Sequence, residues 1–124
     1  MRKVPVYLQH DANDCGPASL RMIAHFYGKH YSLENLREKC FLNREGVSLL
    51  GISDAAEEIG FRTRGLKLTF DQLTNDIVLP CIVHWKQEHF VVVTKIKEDK
   101  LFVVDPAFGR IRYSKQEFLK SWVS

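Results

Sequence analysis

Cys15 stands between Asp14 and Gly16, directly ahead of an apolar, helix-like run, with Gln9 six residues upstream. A thiol at a helix N-terminus meets unsatisfied backbone N–H groups and the positive end of the helix dipole, and both stabilise a thiolate. A cysteine that serves only as a small core residue gains nothing from that position. Gly16 leaves room for a substrate backbone beside the sulfur, and Pro17 suits a first-turn position where no N–H is required. Asp14 acts in both directions: it is a good N-cap, yet its charge opposes a thiolate on the next residue. The thiol therefore needs a cationic partner.

The chain has five histidines, and His89 is placed best. It opens the run HFVVV after the polar turn Lys86-Gln87-Glu88, and Asp105 closes the next run, LFVVD, ahead of Pro106. Antiparallel pairing of residues 89–96 with 101–105 around residues 97–100 brings His89 and Asp105 to the same end of a sheet. Asp105 then accepts from one ring nitrogen and fixes the tautomer, while the other nitrogen faces the thiol. Gln9 can supply a side-chain N–H to an oxyanion, alongside the Cys15 backbone N–H.

The remaining chemistry-bearing residues have plainer readings. Cys40 and Cys81 sit on apolar stripes and read as core thiols. His25 and His30 fit surface or satisfied core positions, His84 points away from the rim, and His10 lies nearby without an orienting partner. His84 and His89 are five apart across a turn, and no element carries a ligand pair, so a metal site is not supported. No cofactor is expected.

The elements that must position these groups follow from periodicity. Leu20, Ile23, Ala24 and Tyr27 recur at helical spacing after Cys15, with Gly28 as the stop. Ser32 reads as the cap of a second helix, stapled by Tyr31 and Leu36, with Leu33, Leu36 and Cys40 on its buried stripe. A third helix after Ser48 turns Ile52, Ala55, Ala56 and Ile59 inward and ends at Gly60. The irregular alternation of residues 61–68 suggests a strand, and Thr69-Phe-Asp-Gln72 reads as a capping box. Three β-rich segments follow at 80–85, 89–96 and 100–105, then a short strand around Ile111 and Tyr113. Ser114-Lys-Gln-Glu117 opens a last helix with Phe118, Leu119 and Trp122 as its apolar face. Helices followed by a meander of strands predict an α+β domain, the helical half packed on an antiparallel sheet.

At 124 residues the chain reads as a single domain over residues 1–124. Its 45% hydrophobic and 27% charged fractions are those of an ordinary globule. The net charge of +3 is spread over interspersed signs, without the basic stripe that nucleic acid requires. The apolar runs at 77–85 and 90–94 are too short for direct membrane insertion. The opening Met1-Arg2-Lys3-Val4-Pro5 lacks the apolar core of a secretion signal. Three widely spaced cysteines with no CxxC pair predict free thiols in a reducing compartment.

Three segments together, LQHDANDCGPASLRMI, IVHWKQEHFVVV and VVDPAFGRIRYSKQEFLKSW, resemble the C39 family of bacteriocin-processing cysteine peptidases. These are the N-terminal domains of peptidase-containing ABC transporters, and the similarity runs through nearly the whole chain in the family's order. The resemblance implies a papain-like fold, with Cys15 as nucleophile, His89 as general base and acid, Asp105 orienting His89, and Gln9 in the oxyanion hole. It implies a substrate as well: leader peptides of exported peptides, held through an amphipathic helix and cut after a Gly-Gly pair. The implied partners are the transmembrane and ATPase parts of an exporter, to which the domain is N-terminal or from which it is excised. The implied place is cytoplasmic, at the inner face of the bacterial plasma membrane. Degenerate members of the family only hold secretion substrates, so a non-catalytic docking module is one alternative. A papain-like acyltransferase with the same Cys-His-Asp chemistry is another. Alkylation at Cys15 separates the docking module from the two enzymes, and product analysis with an amine acceptor separates the enzymes from each other.

Overall fold

A computed structural model of the chain describes residues 3–40, 47–86 and 88–123. Gln87 of the polar turn, and Met1 and Arg2 of the basic N-terminus, lie outside the described residues. Four helices come first: α1 (Cys15–Phe26), α2 (Leu33–Lys39), α3 (Leu49–Glu58) and α4 (Phe70–Asp76). Four strands follow, β1 (Cys81–Trp85), β2 (His89–Lys97), β3 (Lys100–Asp105) and β4 (Gly109–Ser114), and then α5 (Lys115–Ser121) and β5 (Trp122–Val123). The strands form one antiparallel sheet in the order β4-β3-β2-β1-β5. The architecture is α+β, as the pattern of elements predicts.

Local chemistry sets most of the boundaries. Gly28 and Gly60 adopt left-handed φ values of +82° and +106°, a conformation that costs glycine no Cβ clash. Each closes its helix with a paired bond: Gly28 N–H to His25 O with Lys29 N–H to Ala24 O, and Gly60 N–H to Glu57 O with Phe61 N–H to Ala56 O. Ser32 and Ser48 cap α2 and α3 by accepting from Asn35 N–H and Gly51 N–H. Full capping boxes, Thr69 with Gln72 and Ser114 with Glu117, open α4 and α5.

The sheet is covered on both sides. Helix α1 packs against β2, burying Met22 with Val4, Val92 and Val104, and α2 and α3 pack on α1. On the opposite face Val91, Val93, Leu101 and Val103 pack with Leu73 of α4 and Phe118 of α5. Burial on both faces explains why β2 reads as an unbroken run, FVVV, rather than as an alternation. The β2–β3 hairpin turns on Glu98 and Asp99, both with positive φ, as a two-residue turn of the primed type requires.

Two local expectations fail. Residues 61–68 form no strand. Thr63 is instead tied to α3, its hydroxyl bonded to Ser53 and to Glu57, and local side-chain bonds of this kind compete with a ladder. Leu119 is 43% exposed because Phe118 takes the inward position on the short helix α5. Trp122 has left that helix and pairs with Trp85 as the first residue of β5.

Candidate active site

Cys15 is the first residue of α1, is 6% exposed, and packs against Ile52 and Phe90. Its sulfur lies 3.9 Å from the backbone carbonyl oxygen of Glu88, in the turn between β1 and β2. Glu88 has a left-handed φ of 57°, uncommon for a residue with a side chain. Lys86 N–H donates to Ser121 O at 2.8 Å, so the same turn is anchored on the end of α5.

His89 opens β2, and Asp105 closes β3, at the same rim of the sheet. The ring Nε2–H donates to Asp105 Oδ1 at 2.7 Å, and Ala107 N–H donates to the same oxygen at 2.8 Å. Nδ1 is not engaged by Asp105, and the Cys15 side chain is close enough to act on the imidazole. The His89 pKa is pushed up to about 9. The Asp105 hydrogen bond contributes most, then the Cys15 hydrogen bond, and their negative charges add to it; burial works in the opposite direction. A raised folded-state value means that the imidazolium stabilises the native state fully below about 6.5, the ordinary histidine value, and that this contribution is lost as pH rises through about 9.

Gln9 lies in the segment leading into α1. Its N–H donates to Pro106 O at 2.8 Å, which ties that segment to the turn after β3. Its side-chain Nε2 donates to Asp11 O at 2.8 Å, and its Oε1 is buried without a hydrogen-bond partner. An amide nitrogen carries two hydrogens, so a second donor remains on Nε2.

Asp14 departs from its expected role. Its backbone carbonyl accepts from Ala18 N–H, but its side chain makes no cap bond to α1. The carboxylate is wholly buried and points away, toward Arg37 of α2 and the backbone N–H groups of His10 and Asp11. Burial alone would raise its pKa. The Arg37 hydrogen bond and charge, with the two backbone donors, outweigh burial and hold the carboxyl below its usual range. Arg37 is the residue that sequence reasoning misses: on α2 it reads only as a basic residue in the last turn.

The other candidates stay apart from this cluster. Burial pushes the Cys40 and Cys81 thiols up to about 12, so both are protonated and inert at neutral pH. His84 stacks on Phe90, with ring centroids 4.9 Å apart. His25 and His30 line a separate cavity of about 330 Å³ with Tyr7, Arg21, Tyr31 and Ser32. There Tyr7 OH bonds His25 Nδ1, and Arg21 Nε donates to Tyr31 O. Among the described residues, no three His, Cys, Asp or Glu side chains are grouped to hold a metal ion, and no helix is long and apolar enough to cross a membrane.

A histidine–aspartate pair on a sheet rim beside a helix-terminal cysteine is the arrangement of a cysteine peptidase. The model of the peptidase C39 family matches residues 3–124. The chain belongs to the peptidase C39 family. Among relatives, it is 42% identical over 116 residues to the colicin V secretion/processing ATP-binding protein of Escherichia coli. It is 40% identical over 116 residues to the probable microcin-H47 secretion/processing ATP-binding protein of Escherichia coli. Each match takes in 94% of this chain but only 16% of the relative's length. Solved C39 domains superpose closely. The double glycine motif protease of an AMS/PCAT transporter, crystallised with the leader peptide, matches with a TM-score of 0.94 at 35% identity, covering 98% of this chain and 87% of that one. The peptidase domain of Streptococcus ComA, a bi-functional ABC transporter involved in a quorum-sensing pathway, matches with a TM-score of 0.90 at 36% identity, covering 98% and 93%.

Proposed function

We propose that this C39 domain is a cysteine endopeptidase that cuts the leaders of exported peptides after a Gly-Gly pair. The observation that carries the reading is the placement of Cys15, at the start of α1, against the His89–Asp105 pair. Cys15 Sγ attacks the carbonyl carbon of the second glycine. The proton held by His89 passes to the leaving amine, and His89 then activates the water that releases the acyl-enzyme. Asp105 orients the ring. The Cys15 backbone N–H and the free Gln9 Nε2 hydrogen are the proposed oxyanion donors. The partners are the leader peptide and the membrane-spanning and ATPase parts of an exporter, with the domain on the cytoplasmic side. The test is incubation with a Gly-Gly leader peptide followed by fragment masses. A single cut after the pair is expected, and a peptide left intact by protein whose Cys15 alkylates readily would overturn the reading.

Two predictions belong to this mechanism. His89→Ala removes the proton carrier and should cost about 10²–10⁴-fold in kcat. Asp105→Asn should cost less, because an amide oxygen still accepts from Nε2–H. An Asp105→Asn enzyme as inactive as His89→Ala in the same peptide assay would show that Asp105 does more than orient the ring.

The second concerns pH. If the active form pairs a thiolate with an imidazolium, kcat/KM falls on the alkaline side as His89 deprotonates near its raised value of about 9. Asp105→Asn keeps a neutral acceptor for Nε2–H but removes the carboxylate charge that strengthens the bond and acts on the ring, so its alkaline limb should move to lower pH. Coincident limbs for the two enzymes would remove the Asp105 charge from the account.

A further inference from the structure

The carboxylate of Asp14 joins three parts of the molecule at one point. Its Oδ1 accepts from Arg37 Nε at 2.9 Å, and its Oδ2 accepts from the second Arg37 nitrogen at 2.7 Å, a two-pronged charge-assisted contact. Oδ2 also accepts from His10 N–H and Asp11 N–H, both at 3.2 Å. The turn so held is closed by Asp14 N–H on Asp11 O, and the Gln9 amide donates to that same carbonyl. Helix α2, the turn carrying Gln9 and the first residue before the nucleophile are thus locked together.

The lock has an electrostatic side. An uncompensated carboxylate beside a sulfur opposes formation of a thiolate there. Asp14 is the residue next to Cys15 in the chain although its carboxylate turns toward Arg37; Asp105 acts on His89 from β3, and Asp11 and Glu34 also act on Arg37 by charge. Within the Asp14–Arg37 pair the two charges cancel at contact distance, which leaves the α1 dipole and His89 to favour the thiolate.

We infer that Arg37 is a positioning residue of the peptidase: through Asp14 it offsets the negative charge next to Cys15 and holds the Gln9 turn against the start of α1. The inference rests on Cys15 as the nucleophile, but its readout does not require cleavage, so the two can fail separately. A buried ion pair that served stability alone would be replaceable without effect on thiol chemistry.

The experiment compares Arg37→Gln, Arg37→Lys and the double variant Asp14→Asn/Arg37→Gln with the parent domain. Alkylation of Cys15 by iodoacetamide is followed against pH by peptide mass, which separates Cys15 from Cys40 and Cys81. Arg37→Gln should slow alkylation at neutral pH about tenfold and move the acid limb of the profile up by about one unit, the scale of one close uncompensated charge. The double variant carries neither charge and should return most of the parental rate. Arg37→Lys keeps the charge and should hold the parental profile even if its melting temperature drops. On the peptide, Arg37→Gln should lower kcat and leave KM nearly unchanged. A parental profile in Arg37→Gln would overturn the inference, as would a folded double variant that stays slow. If Arg37→Gln does not fold, Asp14→Asn decides: it leaves the Arg37 charge unpaired and should move the acid limb down, and a parental profile in it would overturn the inference.

Discussion

Cys15→Ala is expected to abolish peptide cleavage, lowering kcat by about 10⁴-fold or more, while affinity for the leader changes little. The loss is large because in the proposed mechanism every covalent step passes through this sulfur, and neither Cys40 nor Cys81 can replace it. Cys40 is buried and Cys81 is half-buried, and both stay protonated well above neutral pH. Folding should survive. The substitution removes one sulfur from a contact with Ile52 and Phe90, a deletion of about one methylene's worth of packing, on the order of 1 kcal/mol. Fragment masses measure cleavage, and anisotropy of a labelled leader measures binding. Cleavage by Cys15→Ala at a rate near the parent's would remove Cys15 as the nucleophile. Binding lost in parallel would show that the sulfur is part of the leader site.

How much of this site can be read from the residues depends on how far each interaction runs along the chain. His89 and Asp105 are legible because a hairpin can be counted: two apolar runs about a short polar turn put the start of one beside the end of the other. A register shift between Val93 and Lys95 lies inside that count and leaves no mark in the pattern, yet the meeting of the two residues at the rim survives it. Cys15 is legible for a local reason, since Gly16 and Pro17 announce a helix start. Asp14 is half legible. Its position before α1 is plain, but its partner is Arg37, 23 residues further on, and no spacing rule joins an N-cap position to the last turn of the next helix. Residues 61–68 mislead for the opposite reason. Their alternation is real, but the hydroxyls of Ser53 and Thr63 meet only in the folded chain, and that contact decides the backbone. The substrate is not legible from residue types at all. It comes from the family resemblance, because a Cys-His-Asp set specifies a reaction and not the peptide it acts on.

Alanine in place of either glycine of the Gly-Gly pair should lower kcat/KM by about 10³-fold or more, mainly through kcat. The walls around the thiol are already close. Cys15 is 6% exposed, and its sulfur stands 3.9 Å from the Glu88 carbonyl oxygen. Gly16 is buried, and a Cβ on it would come within 3.0 Å of Ile52 and 3.2 Å of Val47, so the room expected there for a substrate backbone is taken by these side chains. A reacting carbonyl must approach Sγ to about 3–3.5 Å, so the substrate backbone has to lie along these walls, and misplacement by about 1 Å costs about a hundredfold. A methyl group there does not merely lose a contact, which would cost roughly 1–3 kcal/mol; it prevents the approach. Two glycines carry too little surface to bind by themselves, so on the proposed reading affinity comes from the rest of the leader, which the family resemblance implies is an apolar helix face laid in a groove. Polar substitutions on that face should therefore raise KM and spare kcat, the converse of the glycine changes. The measurement is steady-state cleavage of a leader series with single substitutions. A short peptide holding only the Gly-Gly region, cleaved as efficiently as the full leader, would dismantle the division between a slender slot and a remote grip.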